Sequence, residues 1–516
     1  MADIKSAQRL LQDVPKNDPL KAVQEITDWI ESVRDQADFR ADQLFEVLNL
    51  LDEAARPHLR KLVRDYFSPH VLTKFQENRT WMVLNEFFSH TEQAYHKLLT
   101  AYRDGVKGSS AIKPALPLIA ARGIYAATGR LKFTATHFKR VDPAIWQHLA
   151  EYYSHAEDWS YLDKPVVLYA GLAQDTSVRC KFSSVLMWYA LGSNVLNPPH
   201  MHLAERLTTH FCRHFTVDAQ LTSGSLFCFD LAHPAMPIRM TAETTPHPGM
   251  RFFGAGGVKP HLDALLRSLE KNIVPEDVNL GGVYAADILR DVVRHLITYW
   301  DASPPMRRHA RRQIKVTMKV VYGFANIAGH DQAKQDDFST AFSDVFGDQT
   351  VTARDAEDGM AWAVEDISAT GFRCVLPAKD ADGVKIGSLL GTRPENVAYR
   401  GAGIVRRLGR DEQDNLHVGV EMLSNQVENV VVHVQAGSIA GGGQTALWLR
   451  KPDDDTGEVS LLMSPNTFSM NLSLHVQFEG NGYLLIPLAL LEKGVDYDLA
   501  RYRKVAEDAG AVGEDY

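Results

Sequence analysis

The sequence predicts a multidomain α+β protein: a mainly α-helical N-terminal module, then antiparallel β structure in two successive parts. Three observations predict it. Apolar residues recur at helical spacing through the first two hundred positions. Beyond residue 312 the pattern changes to alternation of apolar and polar residues, the period of half-buried strands. Between the two regimes stands Ser303-Pro304-Pro305, a stiff break in the chain. The expected boundaries are 1–215 for the helical module and 216–303 for a mixed strand and helix segment leading to the linker. They continue with 304–425 for a first β-domain, 426–495 for a second, and 496–516 for a short helix and tail.

Taken in order, Asp18-Pro19 is a capping residue followed by proline at the first helical position, and it opens the run Leu20, Val23, Ile26, Ile30, Val33. A second helix is predicted over about Ala41–Ala55, with Leu44, Val47, Leu48 and Leu51 on one face. A third covers about Thr80–Tyr102, with Gly105 placed to cap its C-terminus. Small residues over Leu118–Thr128 suggest closely packed helical hairpins, and Asp142-Pro143 repeats the start signal before Ile145, Trp146, Leu149 and Tyr152. Thr222–Leu231 and Met250–Gly257 read as strands with turns, and about Ala285–Trp300 as a helix.

Composition bounds the function. The chain has 516 residues, 45% hydrophobic and 23% charged, with a formal net charge of −9. It is long enough for several domains with cores of their own. It contains no run of 18 apolar residues and no signal-peptide pattern near Met1–Lys16, so a cytoplasmic protein of bacterial type without membrane insertion is expected. Cys180, Cys212, Cys228 and Cys374 show no C-x-x-C and no framework spacing, which predicts four free thiols in a reducing compartment. His202, His210 and His214 have spacings that would place them on one helix face. Arg206 lies between them there and opposes a bound cation, so no metal is assigned. The run Gly254-Ala255-Gly256-Gly257 lacks the lysine and hydroxyl of a phosphate loop, and no G-x-S-x-G elbow is present. No catalytic constellation emerges, and the chain is read as a non-enzyme.

The chemistry concentrates elsewhere. Arg307-Arg308-His309-Ala310-Arg311-Arg312 holds two overlapping R-x-x-x-R pairs, Arg307/Arg311 and Arg308/Arg312. From Arg307 to Lys319 there are six cations and no acid, in a chain of net negative charge. A local excess of this kind suits a small, highly charged anion, and the planar guanidinium fork matches phosphate oxygens two at a time. Ile314, Val316, Met318 and Val320 then alternate with polar residues as a strand. Glu365-Asp366-Ile367-Ser368-Ala369-Thr370-Gly371 contains D-x-S-x-x-G between two alternating runs, a turn in which Gly371 is free to take a positive φ. Ala402–Arg407 and His417–Met422 read as two further strands around a polar turn.

Basic arm, strand, D-x-S-x-x-G turn and further strands, in that order over about residues 305–425, resemble the PilZ domain, a small β-barrel that binds cyclic di-GMP. The resemblance implies a ligand site of Arg307, Arg308, Arg311, Arg312, Asp366, Ser368 and Gly371. The arginines would grip phosphate or the guanine O6/N7 edge, and Asp366 would accept from the guanine N1–H and N2–H. It also implies an influence on stoichiometry of the residue preceding the working arginine pair. If that pair is Arg308/Arg312 the residue is Arg307, and two stacked ligands per chain are expected. One departure from a compact barrel is a long insert, about Gly323 to Met360, with a helix-like stretch Gln335–Phe346. After the barrel, Val427–Val434, Thr445–Arg450, Ser460–Met463, Leu472–Phe478 and Tyr483–Ile486 read as strands, the last stopped by Pro487, and Asp498–Ala506 as a short helix. This region has neither motif, and a non-binding companion barrel is one reading of it.

The expected function is that of a cyclic di-GMP receptor. Ligand binding would order the arm, change the arrangement of the domains and alter what an unidentified effector protein sees, with motility, adhesion or exopolysaccharide as output. No nucleic acid polymer is expected as a partner. The competing readings are a PilZ-type assembly scaffold that binds no nucleotide, and an enzyme of the N-terminal half regulated by the barrel.

Overall fold

A computed structural model describes residues 4–36, 39–68, 72–170, 175–278, 280–303, 309–329, 359–381, 383–394, 400–434, 443–450 and 457–507. The chain forms two units, residues 1–306 and 307–516.

The first unit is helical: α1 (Ile4–Gln12), α2 (Pro19–Asp35), α3 (Ala41–Phe67), α4 (Lys74–Arg103), α5 (Leu116–Thr136), α6 (Pro143–Asp158), α7 (Val178–Tyr189), α8 (Pro198–His210), α9 (Lys259–Glu270) and α10 (Ala286–Tyr299). The predicted caps are in place. Asp18 accepts from the Lys21 N–H at 3.1 Å and Asp142 from the Ala144 N–H at 3.0 Å. Gly105, at φ 67°, follows the end of α4, where Val106 N–H reaches back to the Ala101 carbonyl. At the centre runs α5, whose Ala120, Ala121, Ala126 and Ala127 are buried and whose small side chains let α4, α6, α7 and α8 approach it. Helix α3 passes through Pro57 and runs twelve residues past the expected end at Ala55. Proline costs one helical hydrogen bond, but Leu59, Leu62 and Phe67 are buried beyond it, each worth about 1.5–3 kcal/mol. Between α8 and α9 lies a four-stranded antiparallel sheet of β1 (Thr216–Asp218), β2 (Phe227–Asp230), β3 (Ile238–Arg239) and β4 (Met250–Gly254), in the order β1-β4-β2-β3.

The thiol expectation is corrected here. Cys180 at the start of α7 and Cys212 just after α8 form a disulfide, their Cα atoms 5.3 Å apart, while Cys228 and Cys374 are free and buried. Folding brings together cysteines 32 residues apart that no sequence spacing pairs.

The second unit contains two closed six-stranded antiparallel barrels. The first comprises β5 (Arg312–Tyr322), β6 (Met360–Ser368), β7 (Gly371–Leu376), β8 (Leu389–Pro394), β9 (Gly401–Arg410) and β10 (Leu416–Ser424). The second comprises β11 (Val427–Val434), β12 (Gln444–Leu449), β13 (Glu458–Met463), β14 (Leu474–Phe478), β15 (Asn481–Lys493) and β16 (Asp498–Ala506). Numbered within each barrel, both close in the same cyclic order 1-2-3-6-5-4. Each buries a tryptophan on its second strand, Trp362 on β6 and Trp448 on β12. The second β-domain is therefore a companion barrel of the same topology.

Two expectations about it change. Asp498–Ala506 is not a helix but β16, paired with β13 and β15, so the barrel extends past residue 495. Pro487 does not stop its strand. It sits at a register shift between β15 and β16, where a missing N–H does not break the ladder. The insert begins with α11 (Phe324–Gly329), whose Phe324 and Ile327 enter an apolar seam with Leu389 and Ile404 of the first barrel and Leu447 and Leu499 of the second. The predicted helix Gln335–Phe346 lies outside the described residues. Arg406 of β9 fastens the seam, reaching Glu492 of β15 with bonds of 2.8 and 2.6 Å and Glu421 at 2.7 Å.

The disulfide gives a direct prediction. Thiol titration of the denatured, unreduced chain is expected to count two free cysteines, and four after reduction. Cys212→Ser is expected to lower unfolding stability by about 4 kcal/mol, the chain-entropy scale for a loop of this length. A count of four before reduction contradicts the pairing.

Candidate ligand-binding site

The site is built on the rim of the first barrel. Antiparallel pairing of β5 with β6 sets Gln313 opposite Asp366 and Arg312 opposite Ile367, so the basic segment enters the sheet beside the D-x-S-x-x-G turn. The two motifs, more than fifty residues apart in the chain, meet there. Arg311 donates from Nη1 to Asp366 Oδ1 at 2.6 Å. Arg312 is exposed at the start of β5. Arg307 and Arg308 lie outside the described residues, and with them the choice between the two R-x-x-x-R registers. His309 and Ala310 are exposed.

Asp366 is 7% exposed, unusual for a carboxylate on a small barrel, and its burial is offset by two cations. Its Oδ1 meets Arg311, and its Oδ2 lies 2.9 Å from Arg373 Nε. Arg373 also reaches Glu365 at 3.0 Å. An ionised carboxylate has about four lone-pair positions, so two cations leave capacity for further donors. Next along the rim, His417 of β10 lies 3.2 Å from Asp411 and 4.0 Å from Glu365. The rim is thus a run of polar contacts in which Arg311 and Arg373 hold Asp366.

Ser368 and Gly371 close the β6–β7 hairpin. They are paired across it, and the Ser368 hydroxyl donates to the Gly371 carbonyl at 3.1 Å. This hydroxyl holds the turn in the present arrangement. Gly371 corrects one expectation: it is not among the residues at positive φ. Its need is for space, because a Cβ there would lie 2.1 Å from the Val420 carbonyl oxygen of β10. Glycine at this position lets β7 seat against β10 and complete the barrel.

Two features escape the sequence pattern. Arg373 was not singled out, although it holds the second oxygen of Asp366. Its signal is its place on the polar side of the Phe372-Arg373-Cys374 alternation, two residues beyond the turn glycine. The strand alternation also fails at the arm. A register shift between Gln313 and Val316 leaves Val316 47% exposed, and Ile367 is 39% exposed, so two apolar side chains stand on the rim near the arginines. Such surfaces suit the face of a planar base.

The histidine triplet does not converge. Helix α8 ends at His210, His202 is buried and stacked on Phe67 with ring centroids 4.3 Å apart, and His214 packs against His261. No group of residues fit to hold a metal occurs among the described residues. Among them, too, no helix is long and apolar enough to cross a membrane.

The second barrel shares the topology but is entered differently. Only Asn425 and Gln426 separate β10 from β11, so no arginine arm precedes its first strand.

No curated protein matches the chain. Residues 5–220, which span the helical region up to the first sheet, match the model of a family described as "Cyclic-di-GMP receptor FimW, N-terminal domain".

Proposed function

We propose that this chain is a receptor for cyclic di-GMP, with the ligand bound at the rim of the first barrel. The observation that carries the reading is the meeting of Arg311 with the nearly buried Asp366. The family matched by the helical region is described as a cyclic di-GMP receptor, which supports the same reading from another part of the chain. The arginines of the arm, Arg307, Arg308, Arg311 and Arg312, supply bidentate donors for phosphate oxygens and for the guanine O6/N7 edge. Asp366 accepts from the guanine N1–H and N2–H while Arg373 keeps its carboxylate in place. Val316 and Ile367 offer apolar surface to a base. Ser368 and Gly371 shape the turn that presents Asp366.

The ligand acts by recruiting the arm. The arm's arginines gain phosphate partners on the barrel, which changes the arrangement of the domains and alters what an effector protein meets. The output is motility, adhesion or exopolysaccharide production, and the role is a receptor's, not a catalyst's. Cyclic di-GMP is charged and does not cross membranes unaided, so the receptor is placed in the cytoplasm where the nucleotide is made. The Cys180–Cys212 disulfide weighs against a strongly reducing compartment, and the thiol count given above measures that conflict directly.

Asp366→Ala is expected to weaken cyclic di-GMP binding by about 1–3 kcal/mol in isothermal titration, the scale of one lost base contact. Arg373→Met is expected to weaken it too, because Asp366 loses the cation that fixes its second oxygen. An unchanged dissociation constant in Asp366→Ala, with the barrel folded by circular dichroism, places the ligand elsewhere.

Stoichiometry gives a separate check. Two intercalated ligands carry four phosphates, and the arm carries four arginines. The expected endpoint is two ligands per chain, falling to one in Arg307→Leu. An endpoint of one in the unaltered chain, or of two in Arg307→Leu, contradicts the assignment of Arg307.

A further inference from the structure

The helical unit contains a deep group of charges that the barrel site does not use. Five cations, on α3, α5, α7 and α8, face three carboxylates. The carboxylates are already engaged. Asp52 takes Arg56 at 2.5 Å and Arg122 at 3.6 Å, and Arg122 also reaches Glu53. Glu205 gives one oxygen to Lys132 at 3.1 Å and the other to the Thr209 hydroxyl at 3.2 Å. The two cations left over are Lys181 and Arg206. Among the described residues neither has a carboxylate within ion-pair distance.

Around them stand aromatic rings and further cations, with Glu205, already engaged by Lys132, as the carboxylate whose charge acts on both. The Lys181 ammonium lies 5.8 Å from the centre of the Tyr125 ring, and the Arg56 guanidinium lies 4.9 Å from the same ring. The Tyr284 hydroxyl stands beside Arg206, whose Nε is buried with no hydrogen-bond partner. Tyr125 reports the local potential. Burial alone pushes a tyrosine hydroxyl up, as it does for Tyr95, Tyr152 and Tyr169, but at Tyr125 the charges of Arg56 and Arg206 more than offset it and the pKa falls. Burial likewise lowers the pKa of Lys181, outweighing the attraction of Glu205, and Arg206 adds repulsion. An unpaired interior cation is costly, and a cation–π contact at this distance recovers little of that cost. Lys181, Arg206, Tyr125 and Tyr284 nevertheless each keep part of their surface accessible, so a small solute has a way in.

We propose that Lys181 and Arg206, with the Tyr125 and Tyr284 hydroxyls, form a binding site for a phosphate group carried by a small molecule. An excess of two positive charges matches a phosphate near its second ionisation, and the guanidinium, ammonium and phenol groups are all donors to its oxygens. The source is free phosphate or a small phosphate ester. The site stands on residues of the helical unit alone and does not depend on the cyclic di-GMP reading.

The test is a thermal unfolding titration of the full chain, with inorganic phosphate in one arm and glycerol 3-phosphate in the other, ionic strength held constant with chloride. A ligand that binds the folded state raises the midpoint progressively with the logarithm of its concentration. The unaltered chain is expected to respond to at least one arm, and the arm with the greater response identifies the source. Lys181→Met is expected to lose the response and to have a higher midpoint than the unaltered chain in phosphate-free buffer, because an unpaired charge has been removed. Arg206→Met is expected to lose the response, and Asp366→Ala to keep it. No response of the unaltered chain to either arm overturns the proposal, as does an undiminished response in Lys181→Met. If a variant does not fold, ³¹P line broadening of the responding ligand by the unaltered chain, relieved by sulfate, gives the same decision.

Discussion

The Asp366 carboxylate, held between Arg311 and Arg373, is the interaction on which the barrel rim depends. It links the arm entering β5, the end of β6 and the polar side of β7. A carboxylate this buried is costly when unpaired, and its two oxygens meet two guanidinium groups, one from the segment before β5 and one from β7. That constraint holds a carboxylate acceptor where the basic segment enters the sheet. Under the proposed reading, a ligand with both phosphates and guanine edges answers both halves of the arrangement, whereas a simple phosphate would meet only the arginines and a free base only Asp366.

Barrel closure sets this geometry. The cyclic order 1-2-3-6-5-4 puts the start of the first strand against the end of the second, so whatever precedes β5 is delivered to the β6–β7 turn. The second barrel has the same order, yet only two residues lead into its first strand. Topology is shared while the entries to the two barrels differ: the basic segment leads into the first, and the second contributes Leu447 and Leu499 to the seam and the Glu492 that anchors Arg406.

Much of the fold was legible in the sequence because local signals agreed with burial. Asp18 and Asp142 mark helix starts, Gly105 marks an end, and the alternation around Asp366 marks a hairpin. The features that were not legible depend on contacts distant in the chain. Asp498–Ala506 is rich in Leu, Ala, Arg and Lys, good helix formers, but the barrel needs a sixth strand and tertiary pairing overrides propensity. Pairing of Cys180 with Cys212 follows from the packing of α7 and α8 and from no spacing rule. At the site, the meeting of the two motifs was readable, but the reason for the glycine at position 371 was not. Space against Val420 is a property of the closed barrel. Arg373 was hidden for the same reason, since cross-strand register decides which arginine meets Asp366.

The most direct test of the account is a calorimetric titration of the full, unaltered chain with cyclic di-GMP, set beside GMP and GTP under the same salt. The account predicts saturable binding of cyclic di-GMP with clear preference over both mononucleotides, because only the cyclic dinucleotide presents two guanines and two bridging phosphates to the arm and Asp366. Equal binding of GMP, or no binding of cyclic di-GMP, would contradict it.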